Sequence, residues 1–102
     1  MTETKPYDSA DYLQTHEALA EYLTAVFEEQ DGALLRHALG VAARARGMTR
    51  VARASGLSRE SLYKALSEEG NPSLDTTVRV LRALGLRLTA TVVPGAAEAG
   101  PP

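Results

Sequence analysis

Apolar residues recur at helical spacing along most of this chain. In residues 16–29, HEALAEYLTAVFEE, the positions Leu19, Tyr22, Leu23, Val26 and Phe27 form one stripe of a helix. Thr15 is placed to cap it, and Glu17 and Glu21 suit its electropositive start. The break QDG at 30–32 ends it. In ALLRHALGVAARARG, residues 33–47, the apolar face is Leu34, Leu35, Ala38, Leu39 and Ala42. Arg44 and Arg46 sit in its last turn and Gly47 closes it. TRVARAS is long enough for about two helical turns, closed by Gly56. SRESLYKALSE follows with Ser58 as N-cap, and EGNP is a turn. SLDTTVRVLRALG then reads as a helix capped by Ser73, with Asp75 in its first turn. Its spacing predicts burial of Leu74, of Thr77 or Val78, and of Leu81 and Leu84, with Gly85 as the stop.

The period changes at residues 86–93, LRLTATVV. Leu86, Leu88, Ala90 and Val92 alternate with Arg87, Thr89, Thr91 and Val93, which predicts a strand with one buried face. No other segment has that pattern, and a lone strand leaves its backbone donors and acceptors unpaired. The prediction is therefore a mainly α chain whose single C-terminal β-strand pairs with a second chain, the same strand across a two-fold axis in a homodimer or another protein's sheet.

Charge divides the chain. Residues 1–31 hold eight acids and one lysine, a local charge of −7. Residues 32–93 hold ten bases and four acids, a local charge of +6. We divide the chain accordingly into an acidic N-terminal arm and helix (1–31), a body with the terminal strand (32–93) and a Pro/Gly/Ala-rich disordered tail (94–102). A basic body suits a polyanion, although scattered solvated charge on a helical protein would read the same way. The 102 residues are enough for one domain. There is no cysteine, so no disulfide framework or thiolate metal site is possible. No apolar run approaches the roughly 18 residues of a membrane span. The opening MTETKPYDSADY lacks the regions of a signal peptide, so a cytoplasmic protein with no membrane association is expected.

The most informative unit runs from Met48 to Leu66. Ala52 suits a close helix crossing, and Gly56 four residues on can take the positive φ of a tight turn between two helices. Leu57 and Leu62 anchor the second helix, and Val51 and Leu66 complete a small core. A helix-turn-helix needs these residue types at these intervals, while an ordinary helical hairpin would use some of them.

On these residues, Ala33 to about Val93 resembles the Cro/C1-type helix-turn-helix domain. More narrowly, RARGMTRVARASGLSRESLYKALSEEGNPSLDTTVRVLRALGLRL is similar to the addiction-module antidotes, the HigA-like antitoxins of type II toxin–antitoxin systems. The most specific part is GLSRESLYKALSEEGNPSLDT followed by VLRALGL. The resemblance implies a five-helix fold, a homodimer, binding of operator double-stranded DNA and a RelE/ParE-superfamily toxin as partner. Many Cro/C1 members carry a glutamine near the start of the first motif helix, and Met48 falls near that place in this chain. Thr49 and Arg50 are the adjacent side chains able to take over the glutamine's contact.

In such a motif the second helix enters the major groove N-terminal end first. Arg59 is the candidate for a base edge, because its fork matches guanine O6 and N7. Glu60 could accept from cytosine N4 or pair with Lys64 one turn on. Ser58 at the helix start and Ser61 are short enough to approach DNA. Tyr63 could touch phosphate or a thymine methyl, or cap the core, and Lys64 suits phosphate. Arg50, Arg53, Asn71 and Ser73 could fix the register, or the last two could only shape the turn and cap the next helix.

Catalysis is not expected. His16 and His37 lie on separate helices without metal-ligand spacing, and Ser55, Ser58 and Ser61 are accounted for by turns, caps and surface. No cofactor and no metal is implied. Three functions stay open: an antitoxin that also represses transcription, a stand-alone phage-repressor-like regulator without a toxin, and a protein-interaction module that no longer binds DNA.

Overall fold

The computed structural model describes residues 13–96. Within them lie five α-helices and no strand: α1 (His16–Phe27), α2 (Gly32–Arg46), α3 (Met48–Ser55), α4 (Arg59–Ala65) and α5 (Leu74–Ala83). The first twelve residues of the acidic arm and residues 97–102 of the predicted disordered tail lie outside the described residues.

Local chemistry starts the helices where the sequence places the caps. The Thr15 hydroxyl accepts from the Ala18 N–H at 3.0 Å, Ser58 from Ser61 at 3.0 Å and Ser73 from Thr76 at 3.0 Å. Asp31 caps α2, its Oδ1 accepting from the N–H groups of Ala33 at 3.0 Å and Leu34 at 3.2 Å. The break before α2 turns on Gln30, whose φ of 59° lies in the left-handed region.

One core joins all five helices. Leu19 and Leu23 of α1 meet Ala38, Leu39, Ala42 and Ala43 of α2, Val51 and Ala52 of α3, Leu62 of α4, and Val80 and Leu81 of α5. Helix α3 is central, packing against α2, α4 and α5, while α1 packs on α2. The small faces of Ala38, Ala42, Ala43 and Ala52 let these helices approach closely.

The structure corrects several expectations. Leu74 is 73% exposed, and the buried stripe of α5 runs instead through Val80, Leu81 and Leu84. Leu74 is the first residue of α5, six positions before Val80, the first buried residue of the helix, so helical spacing alone carried the stripe too far toward the N-terminus. At the start of α2, Leu34 is 39% exposed for the same reason, and Gly40 and Ala43 are buried. Residues 86–93 form no strand in the single chain. Leu86 is half-buried, but Leu88, Ala90 and Val92 are exposed, Val92 by 82%. Among the described residues no second strand is present to pair with the segment, and without a ladder the alternating pattern has nothing to pack on.

Candidate nucleic-acid interface

The site is built on the turn between α3 and α4. Gly56 takes φ 79° and ψ 11°, the left-handed conformation a side chain disfavours. That bend lets the N–H groups of Gly56 and Leu57 both donate to the Ala52 carbonyl, at 3.0 and 3.1 Å, which closes α3. Ser55 is buried, and its Oγ donates to Ala52 O at 3.1 Å and accepts from Leu57 N–H at 3.3 Å. Leu62 is completely buried, and Val51, Ala52 and Leu66 are buried around it. Leu57 is half-buried against the same core. These contacts fix which face of α4 points outward.

All eleven side chains singled out for DNA are exposed: Thr49, Arg50 and Arg53 on α3, Ser58, Arg59, Glu60, Ser61, Tyr63 and Lys64 on or capping α4, and Asn71 and Ser73 in the following loop. Ser61, Lys64 and Asn71 share one shallow cleft, together with Ala65, Ser67, Glu69 and Gly70. Arg59 and Tyr63 are in contact, with Nη2 donating to the phenolic oxygen at 3.0 Å and the guanidinium carbon 5.3 Å from the ring centroid. Tyr63 is therefore not a cap on the core. Glu60 and Lys64 do not form the ion pair that their spacing permits. Ser58 and Ser73 have their hydroxyls engaged as helix caps. Met48 is buried, so the polar contacts available at the start of α3 fall to Thr49 and Arg50.

Arg50, Arg53, Arg59 and Lys64 are exposed, and none is held in an ion pair. From Met48 to Ala65 the only acid is Glu60, so this stretch carries a net charge of +3. Such unneutralised cations on a surface suit a polyanion.

Residues that support the site were missed from sequence. Arg79 of α5 reaches the α3–α4 turn, its Nη1 donating to Ser55 O at 3.3 Å while Nε holds Asp75 Oδ2 at 2.8 Å. Arg36 of α2 donates to Gly70 O at 3.2 Å and ties down the loop after α4. The Ser67 hydroxyl donates to Lys64 O at 2.9 Å. The Asp75–Arg79 spacing was a readable signal for half of one of these contacts, but no local pattern points to Ser55 or Gly70.

Among the described residues no group of three or more histidines and carboxylates gathers that could hold a metal, and no helix is long and apolar enough to cross a membrane.

A family model described as "Probable addiction module antidote protein" matches residues 3–92. An uncharacterized protein of Haemophilus influenzae is 46% identical over 88 residues, which cover 85% of this chain and 91% of that protein. No solved structure matches the chain.

Proposed function

The chain belongs to the family of addiction module antidote proteins, and from that premise we propose that it is the antitoxin of a type II toxin–antitoxin module. It binds a RelE/ParE-like toxin directly and represses its own operon through a helix-turn-helix made of α3 and α4. It has no catalytic role in this reading.

The observation that carries the DNA-binding half is the outward face of α4. Leu62 roots the helix in the core, the turn at Gly56 fixes its direction, and Arg59, Ser61 and Lys64 are left exposed without an acidic partner. Arg59, in the first turn, is the base-reading side chain, while Lys64 and Asn71 meet phosphate beside it. The protein acts as a homodimer, supported by the alternating segment 86–93, whose Leu88 and Val92 lack cover in the single chain. A two-fold dimer presents two copies of α4 about 34 Å apart, one DNA turn, to a palindromic operator. Repression then follows from promoter occlusion. The acidic residues of the first 31 positions complement a basic toxin, and neutralisation follows from sequestration.

The test is co-purification with the protein encoded beside it, followed by gel shifts on the upstream DNA with and without that protein. Stable co-purification together with a salt-sensitive shift is expected. A shift without any co-purifying neighbour points to the stand-alone regulator. Affinity that does not fall with added salt removes the phosphate contacts and with them the DNA reading. In the same assay Arg59→Ala is expected to lose about 1–3 kcal/mol of discrimination at one base pair, and an equal loss on every sequence makes Arg59 a phosphate contact.

A further inference from the structure

Arg59 and Tyr63 stand one turn apart on α4. Side chains on a helix lean toward its N-terminus, so the tyrosine reaches back over the arginine. Both parts of the tyrosine are used. Its ring faces the guanidinium at 5.3 Å, and its hydroxyl accepts from Nη2 at 3.0 Å. The arginine is held without being neutralised, because no carboxylate among the described residues pairs with it. Lys64, the other exposed cation of α4, has no side-chain partner among the described residues.

This difference has a physical consequence. An exposed arginine samples many rotamers and loses that freedom when it binds. A carboxylate partner would hold the arginine but would compete with DNA for its charge. A tyrosine holds it and leaves the charge intact. The hydroxyl occupies one N–H of the fork and leaves the others for an acceptor pair such as guanine O6 and N7.

We propose that Tyr63 is a positioning residue that holds the Arg59 guanidinium ready to read one base pair, so that the two together set specificity at that position. This rests on α4 being the DNA-reading helix. Tyr63 acts through Arg59, so its influence is confined to the base pair Arg59 reads and does not extend to the phosphate contacts. Tyr63 is 44% exposed, so its replacement leaves the core untouched.

The experiment uses the full chain and its own upstream DNA, with a set of duplexes each changed at one base pair. Tyr63→Leu is expected to weaken binding to the native duplex roughly fivefold, and Tyr63→Phe, which keeps the ring, roughly twofold. The loss should vanish on the duplex changed at the position where Arg59→Ala is also indifferent. The dependence on salt should stay as in the wild type, because no phosphate contact is removed. In an Arg59→Ala background, Tyr63→Leu should have no further effect. Nitrogen relaxation of the Arg59 Nε in the free protein should report a restrained side chain that becomes mobile in Tyr63→Leu. An equal loss on every duplex, a shallower salt dependence, or an undiminished effect in the Arg59→Ala background overturns the proposal, because each makes Tyr63 a DNA contact in its own right. A wild-type preference that Tyr63→Leu leaves intact overturns it alone. A wild-type chain with no preference for its own upstream DNA overturns the reading of α4 as well.

Discussion

Gly70→Ala tests how the loop after α4 is seated. A Cβ at this position would run into the carbonyl oxygens of Lys64 and Ala65, both backbone atoms of the last turn of α4. The first of these cannot retreat without loss. The Lys64 carbonyl accepts from the Ser67 hydroxyl at 2.9 Å and from the Ser67 N–H at 3.4 Å. If the loop lifts instead, the bond from Arg36 to Gly70 O at 3.2 Å is strained. Losing one or two such bonds at about 0.5–1.5 kcal/mol each, with about 1–3 kcal/mol of overpacking, gives a destabilisation of about 1.5–6 kcal/mol. Gly56→Ala is the comparison. Gly56 has the left-handed φ of 79°, yet an added Cβ there would meet only Arg79 Nη1 at 3.3 Å, the end of a flexible side chain. Its cost is the backbone term, about 1–2 kcal/mol. A ranking from φ alone would choose Gly56 as the more sensitive glycine, and the close contacts reverse it. Urea unfolding followed by circular dichroism, at one fixed protomer concentration, measures both variants. A larger loss in Gly56→Ala, or a Gly70→Ala variant within about 0.5 kcal/mol of wild type, would show that the loop is not packed on those carbonyls.

Leu62→Ala removes a side chain with no exposed surface and is expected to cost about 2–5 kcal/mol in the same unfolding assay; a loss under about 1 kcal/mol would mean that α4 is not rooted through this residue. Deleting residues 86–102 is expected to give a monomer in sedimentation, and an intact dimer would refute pairing through the alternating segment. Burial pushes the Tyr22 hydroxyl above its ordinary pKa of 10.0. The folded state then keeps a proton that the unfolded chain releases, so this contribution is full below the ordinary value and lost as pH rises through the folded one. Tyr22→Phe should flatten that part of the alkaline loss of stability, and an unchanged pH profile would count against it.

What was legible in the sequence was what is decided locally. Thr15, Ser58 and Ser73 were readable as caps because an N-cap hydroxyl reaches an N–H only three residues away. The Ala52, Gly56 and Leu62 constellation was readable because a tight turn between helices restricts residue size and φ over a few positions. Periodicity was less secure at helix ends. Leu74 and Leu34 fit their stripes by spacing, but each lies in the first turn of its helix and is exposed there. Val80 was missed because 77, 78, 81 and 84 already made an acceptable stripe without it. The segment 86–93 has a strand's alternation, and that pattern specifies a partner it does not contain.

The contacts that were not legible change the reading of the charge. Counting bases in residues 32–93 treats all ten as equally available to a polyanion. Arg36 and Arg79 are not, because each donates to a backbone carbonyl distant in sequence, Gly70 for the first and Ser55 for the second. Arg79 also meets Asp75, and Arg46 lies against His16 with 3.4 Å between their nitrogens. These arginines brace the turn, the loop and the contact between α1 and α2. The exposed, unpaired cations of the α3–α4 unit are Arg50, Arg53, Arg59 and Lys64. Part of the basic character of the body thus goes to cations that hold the fold in place, and part to cations exposed at its surface without an acidic partner. A near-neutral chain can present a basic surface on that division, because the local field depends on the local excess of charge and not on the net charge of −2.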